Sequence, residues 1–151
     1  MRIVIIDCGT NTFNLLIAEK IGDQVKFILE DKIPVKIGKG GIESRTIVPE
    51  AYQRAMDAMQ SYALTIKKYE VDKIIATSTS AFRTTDNGEK LKADILEKTG
   101  IDIRIISGEK EAEYIYKGVT WALEPEKDVT YLIMDIGGGS TEFIRIEEGK
   151  E

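Results

Sequence analysis

Residues 134 to 143 read MDIGGGSTEF: an apolar run leaves through Asp135, passes three glycines and two hydroxyls, and returns at once to apolar residues. Three successive glycines lose more conformational entropy on folding than any other triplet, and a plain hairpin needs only one or two of them. The run therefore marks a turn whose backbone must come close to a ligand. With no Cβ in the way, successive amide N–H groups of Gly137, Gly138 and Gly139 can converge on one small concavity suited to an anion oxygen. Ser140 and Thr141 can add side-chain donors to it. Asp135 would repel such an anion directly, but it can hold Mg²⁺ or its waters between itself and the anion.

The same punctuation occurs near the start of the chain. Asp7-x-Gly9-x-x-Thr12 followed by Leu15 matches Asp135-x-Gly137-x-x-Ser140 followed by Phe143, at a constant offset of 128 residues (135 − 7). Taken alone, Gly9, Thr10 and Asn11 would be a simple tight turn. The repetition draws them into the same reading as the second turn, with the Thr10 and Thr12 hydroxyls as donors and Asp7 as a second carboxylate for a cation. A repeat at this distance points to two duplicated lobes, because solenoid repeats recur every 20 to 50 residues or so. Two such turns facing each other would clamp a phosphoryl group.

Between the turns the pattern gives a definite element order. Arg2 to Cys8 and Thr12 to Glu19 are strand-length apolar runs, and Val25, Phe27 and Leu29 alternate with polar neighbours, so three antiparallel strands are expected. Ile21-Gly22-Asp23 turns the second into the third, and Gly38 to Gly41 reads as a flexible loop. Ala55, Met56, Met59, Ala63 and Ile66 fall at helical spacing after Pro49, predicting a helix over about Pro49 to Tyr69. Asp72 to Thr79 reads as a buried strand, SAFRTTDNGE as a polar loop, and the next helix should end at Gly100. A strand in IDIRIIS and a helix in GEKEAEYIYKGVTWAL follow, the latter with Ala112, Ile115, Val119 and Ala122 on one face and Tyr114, Tyr116 and Trp121 as core or helix-face residues. The order β-β-β-α-β-α-β-α predicts an α/β fold, a mixed sheet of the ribonuclease-H-like type found in the actin, sugar-kinase and chaperone ATPase superfamily. Residues 1–126 would form this lobe. Residues 127–151 would supply only the first hairpin of a second similar lobe, and since a lone hairpin is marginal in water, a homodimer would cover it.

Composition limits the chemistry. The chain of 151 residues has 42% hydrophobic and 31% charged residues, one cysteine, no histidine and a net charge of −5. Cys8 cannot close an internal disulfide and is read as a small buried residue, and catalysis must use carboxylates, hydroxyls, amides, Lys, Arg or a hard cation. The acidic balance argues against a nucleic acid polymer or an anionic membrane as partner. No apolar run reaches membrane-spanning length, and with no leader evident the cytoplasm is the expected compartment.

These segments together resemble the exopolyphosphatase/guanosine pentaphosphate phosphohydrolase family. DCGTNTFNLL is similar to its first phosphate motif, ATSTSAFR to its arginine loop, ISGEKEAEYIYKGV to its catalytic-glutamate segment and DIGGGSTEF to its second phosphate motif, in family order over nearly the whole chain. The resemblance implies that Glu111 positions or deprotonates an attacking water, that Arg83 contacts the phosphate chain, and that Glu142 joins Asp7 and Asp135 near the metal. It implies hydrolysis of a terminal phosphoanhydride of inorganic polyphosphate or guanosine pentaphosphate, with Mg²⁺. On sequence physics alone Glu111 reads as a helix-start carboxylate favoured by the helix dipole, and Arg83 as a loop arginine whose flanking hydroxyls Ser80, Thr84 and Thr85 suit an anion. Lys110 stands where members often have glutamate, and it is expected to lower the pKa of Glu111 and weaken it as a base. Members carry a substantial second lobe, so this chain alone should be nearly inactive. A kinase or ATPase lobe and a non-catalytic phosphate-binding module are the readings left open.

Overall fold

The computed structural model describes residues 1–22, 24–40, 45–123, 126 and 129–147. Asp23, Gly41, the expected lobe border at 127 and 128, and the last four residues lie outside that set. Strands β1 (Arg2–Cys8), β2 (Thr12–Ile21) and β3 (Gln24–Pro34) form an antiparallel meander, and β4 (Lys73–Ser78) and β5 (Ile103–Ile105) add in parallel on the other side of β1. The sheet order is β3-β2-β1-β4-β5. This is the expected ribonuclease-H-like mixed sheet.

Alternation along β1 puts Val4, Ile6 and Cys8 into the core, with Phe13, Leu15 and Ile17 beside them from β2. Helix α1 (Pro49–Ile66) starts with proline in its first turn, where the missing N–H costs nothing. Its Ala51, Ala55, Met59 and Tyr62 make one buried stripe. Tyr62 is fully enclosed and donates 2.7 Å to the Phe13 carbonyl, tying α1 to β2 just past the first glycine turn. Helix α3 (Gly88–Thr99) buries Leu91 and Ile95 and ends at Gly100, whose φ of +73° lets its N–H reach the Leu96 carbonyl.

Three local expectations need correction. The predicted polar loop after β4 contains a five-residue helix, α2 (Ser80–Thr84), because Ala81 and Phe82 pack inward and Phe82 meets Phe13 at 6.2 Å between ring centroids. The first long helix stops at Ile66 and passes through a turn to Tyr69. Helix α4 (Gly108–Leu123) has no fully buried residue: Ala112, Ile115 and Val119 are half-covered, while Tyr114 and Trp121 stand in solvent rather than in a core. Tertiary packing overrode the periodicity there, since α4 meets chiefly one strand of a hairpin and no full layer.

That hairpin, β6 (Tyr131–Ile136) and β7 (Thr141–Ile146), forms a separate two-stranded sheet. Its register repeats that of β1 and β2. Asp7 lies across from Asn14 and Cys8 from Phe13; 128 residues on, Asp135 lies across from Glu142 and Ile136 from Thr141. Each turn closes with the same bond, Gly9 N–H to the Thr12 carbonyl at 3.1 Å and Gly137 N–H to the Ser140 carbonyl at 3.0 Å.

Candidate functional site

The two glycine turns meet. A Cβ built on Gly138 would lie 2.5 Å from Asn11 Nδ2, and one on Gly139 would lie 2.7 Å from Thr10 Oγ1 and 3.0 Å from Ser80 Oγ. Only glycine permits that approach. Ser80, at the start of α2, is buried and donates 2.9 Å to the Gly139 carbonyl, fastening the second turn to the lobe that carries the first.

The first turn is fixed from behind. Val35 and Lys36 N–H groups both bond the Asn11 carbonyl at 2.9 Å, and Ile37 N–H bonds the Thr10 carbonyl at 2.8 Å. In a planar trans peptide the carbonyl and the following N–H point opposite ways, so the amides of Asn11 and Thr12 face away from this segment. That orientation leaves an arc of donors where an anion can be met.

Beyond the turns, Arg83 and Glu111 come together across 28 residues of chain. Arg83 Nη1 donates 2.7 Å to the Ile106 carbonyl and lies 3.3 Å from Glu111 Oε2, and both side chains are largely covered. Ser107 Oγ accepts the Lys110 N–H at the N-terminus of α4, and Glu111 lies in the first turn of that helix. Burial pushes the Glu111 carboxyl above the usual carboxylate range, and the Glu142 charge pushes it further. The Arg83 hydrogen bond and charge pull it partly back, and the Asp7 charge adds a smaller upward push. The expected lowering by Lys110 does not occur. Lys110 instead bonds Glu113 at 2.6 Å and sits over the Tyr114 ring at 4.9 Å, on a different side of the helix.

The remaining carboxylates gather nearby. Asp7 keeps solvent access in this cleft, but the protein around it removes enough water to push its carboxyl up; Asn14, at 3.2 Å, draws it down again, and the Asp135 charge raises it. Glu142 Oε2 is buried with no hydrogen-bond partner among the described residues. Like charges directly opposite on an antiparallel pair are unfavourable, so the Asp135 and Glu142 register keeps negative potential at this spot.

A cavity of about 500 Å³ opens beside the turns, lined by Thr10, Gly139, Ser80, Arg83, Arg45 and Thr46 among others. Thr84 and Thr85 also line it, but their hydroxyls donate back to the Ser80 and Ala81 carbonyls. Ser80 is engaged as well, so none of the three flanking hydroxyls offers its proton to an anion, against the expectation from sequence. The same lining holds Arg45, Arg83 and Thr10.

A family model described as the Ppx/GppA phosphatase family matches residues 16–151. The chain belongs to the Ppx/GppA phosphatase family. Among solved Ppx/GppA relatives, an exopolyphosphatase from Cytophaga hutchinsonii is 41% identical and superposes with a TM-score of 0.94 over 100% of this chain and 48% of its own. The Aquifex aeolicus family member is 27% identical, with a TM-score of 0.84 over 99% of this chain and 48% of its own. Among curated relatives, a guanosine-5'-triphosphate,3'-diphosphate pyrophosphatase from Vibrio atlanticus is 35% identical over 95% of this chain and 28% of its own length. The chain thus spans about half the length of these solved relatives.

Within this Ppx/GppA lobe, the sequence reading placed Gly9, Thr10, Asn11, Gly137, Gly138 and Gly139 at one locus, and the structure brings them together. Thr12 and Thr141 begin the strands that leave the turns, and the Ser140 carbonyl closes the second turn. Arg45 and Asn14 went unnoticed. Asn14 carried a signal: it occupies the position that the repeat assigns to Glu142, so one turn pairs carboxylate with amide and the other carboxylate with carboxylate. Arg45 had none, since it sits in a polar loop of ordinary composition.

The charge assignment is open to direct test. A carbon-13 NMR titration of the metal-free chain should place the Glu111 carboxyl midpoint above the free-glutamate value. It should move down in Glu142→Gln, which removes a repelling charge, and up in Arg83→Met, which removes the compensating one. Identical midpoints in all three proteins would disprove this account.

Proposed function

We propose that the protein hydrolyses a terminal phosphoanhydride bond of inorganic polyphosphate or guanosine pentaphosphate, and that this chain carries one wall of the site. The observation behind this reading is the meeting of two glycine turns of identical register beside the Glu111–Arg83 pair. The turns' amides would hold the terminal phosphoryl group. Glu111 would take a proton from the attacking water, a task suited to a carboxylate whose pKa is raised toward the working range. Arg83 binds Ile106 and Glu111 through Nη1 and has further donors for the equatorial oxygens of the transferring group, where phosphoryl transfer needs charge dispersed.

Mg²⁺ fits these residues as a hydrated ion. The unpartnered Glu142 Oε2, with Asp135 across from it and Asp7 coupled to Asp135, would hold its waters, while no described group of three carboxylates could chelate it outright. When bound, it would neutralise phosphate oxygens. The hairpin would be the start of a second lobe: Leu132, Met134, Ile136 and Phe143 present an open apolar face, whereas Ile144 and Ile146 face inward. In the isolated chain a second copy would cover that face.

No described helix is long and apolar enough to cross a membrane. A cytoplasmic setting suits the free, buried Cys8, since unpaired thiols persist in reducing compartments.

The test is phosphate release from long-chain polyphosphate and from guanosine pentaphosphate, with and without Mg²⁺, alongside equilibrium binding. Mg²⁺-dependent binding of either substrate by this chain, with release once the remaining length is supplied, is expected. Absence of any phosphate binding would overturn the reading.

A further inference from the structure

Arg54 lies on α1 and is not among the residues that line the cavity beside the turns. It borders a separate hollow of about 300 Å³ instead, with Ile33, Pro34, Asp57, Ala58 and Ser61. Its side chain is half-covered and committed to two backbone carbonyls: Nε donates 2.7 Å to Val35 and Nη2 donates 3.2 Å to Lys36. A cation held this way is not placed to meet an anion. It is placed to hold backbone.

The backbone it holds is the segment that fixes the first glycine turn from behind. The peptide joining Val35 to Lys36 gives its carbonyl to Arg54, and its N–H, on Lys36, bonds the Asn11 carbonyl at 2.9 Å. The peptide joining Lys36 to Ile37 gives its carbonyl to Arg54, and its N–H bonds the Thr10 carbonyl at 2.8 Å. Because carbonyl and N–H point opposite ways in a planar trans peptide, each plane is gripped at both ends. In a strand, successive carbonyls alternate in direction. Here both reach one guanidinium because Lys36 takes a φ of +48°, a left-handed conformation that residues with a Cβ adopt at a cost. The Lys36 carbonyl also accepts the Lys39 N–H at 3.1 Å. A guanidinium presents the two parallel N–H groups that such a pair of carbonyls needs, whereas a lysine ammonium is a single point charge.

We propose that Arg54 is a positioning residue for the first glycine turn: by clamping the peptides of residues 35–37 it fixes the Thr10 and Asn11 carbonyls, and with them the outward aim of the Asn11 and Thr12 amides. The proposal rests on the phosphohydrolase reading above, in which those amides hold a phosphoryl group. Hydrogen bonds in series polarise one another, so a cation on the outer carbonyls also strengthens the inner N–H donors. The contacts on both sides keep the strained Lys36 conformation from relaxing.

The test is an amide NMR titration, with orthophosphate and tripolyphosphate, of the parent chain, Arg54→Met, Arg54→Lys and Ile66→Val, with a melting curve for each. Ile66→Val trims a buried side chain at the far end of α1 and serves as a destabilised control. Without ligand, Arg54→Met should displace the Asn11 and Thr12 N–H resonances from their parent positions. Its phosphate affinity should fall by about tenfold, the worth of one well-aimed hydrogen bond to a charged group. Arg54→Lys should regain only part of that loss, and Ile66→Val should melt lower but bind as the parent does. Parent-like amide resonances and affinity in Arg54→Met would overturn the positioning role. Full recovery in Arg54→Lys would overturn the fork and leave only a charge, and an equal loss in Ile66→Val would reduce Arg54 to general stability. Absence of binding by the parent itself would overturn the phosphohydrolase reading instead, with the ligand-free amide resonances still deciding whether Arg54 holds the turn.

Discussion

Phosphate release by Glu111→Gln should fall by about 10²- to 10⁴-fold, the usual worth of a positioned general base, while binding of the phosphate chain is retained. Glutamine keeps the shape of the side chain and can still meet Arg83, but it cannot take a proton from water. The comparison belongs in the protein with its full length, with Mg²⁺ present. The pH dependence gives a second readout. Because burial and Glu142 raise the Glu111 pKa, its active, ionised form is lost as pH falls through a midpoint above the ordinary glutamate range, so the acid limb of the rate should lie higher than for a solvent-exposed carboxylate. Glu142→Gln should shift that limb to lower pH. Release by Glu111→Gln at the parent rate would end the assignment of this residue as base.

Gly88→Ala should be the most damaging methyl addition among the described glycines. A Cβ at Gly88 would lie 2.1 Å from the Phe82 carbonyl oxygen and 2.9 Å from its Cα. Those are backbone atoms of α2, and they cannot step aside as the tip of a flexible side chain can. Phe82 is itself enclosed and packs on Phe13, so the strain has no soft direction in which to relax. Overpacking of this kind costs about 3 kcal/mol. For a chain of this size that lowers the melting temperature by roughly 10 °C. Arg83 follows Phe82 directly, so phosphate affinity should drop too. A melting temperature equal to the parent's, measured by calorimetry, would contradict the close approach of α3 to α2.

Several features that position the site were legible in the residues themselves. Glycine and proline act on the backbone within a few positions, which is why the turn at Gly137 to Gly139, the helix start at Pro49 and the stop at Gly100 could be placed without coordinates. Strand register follows from strict alternation, so the 128-residue repeat carried over into identical pairing of Asp7 with Asn14 and Asp135 with Glu142. Where alternation or periodicity met incomplete packing the reading failed. The stripe on α4 looked like a core face, but among the described residues it meets chiefly one strand of a hairpin, and Trp121 is left 75% exposed.

What the sequence determined by itself was the order of the elements, the two matched turns and the residue types available for chemistry. Only the tertiary structure decided what those residues experience. Ser80 reaches Gly139 across 59 residues, and Arg83 reaches Glu111 across 28. Lys110, adjacent in sequence to Glu111, leaves it untouched by turning to Glu113, and Glu142, from the distant hairpin, raises its pKa. The physical reason is one of range. Backbone conformation is set by sterics over a few neighbouring residues, whereas hydrogen bonding, desolvation and Coulomb interaction depend on separation in space, which chain order does not specify.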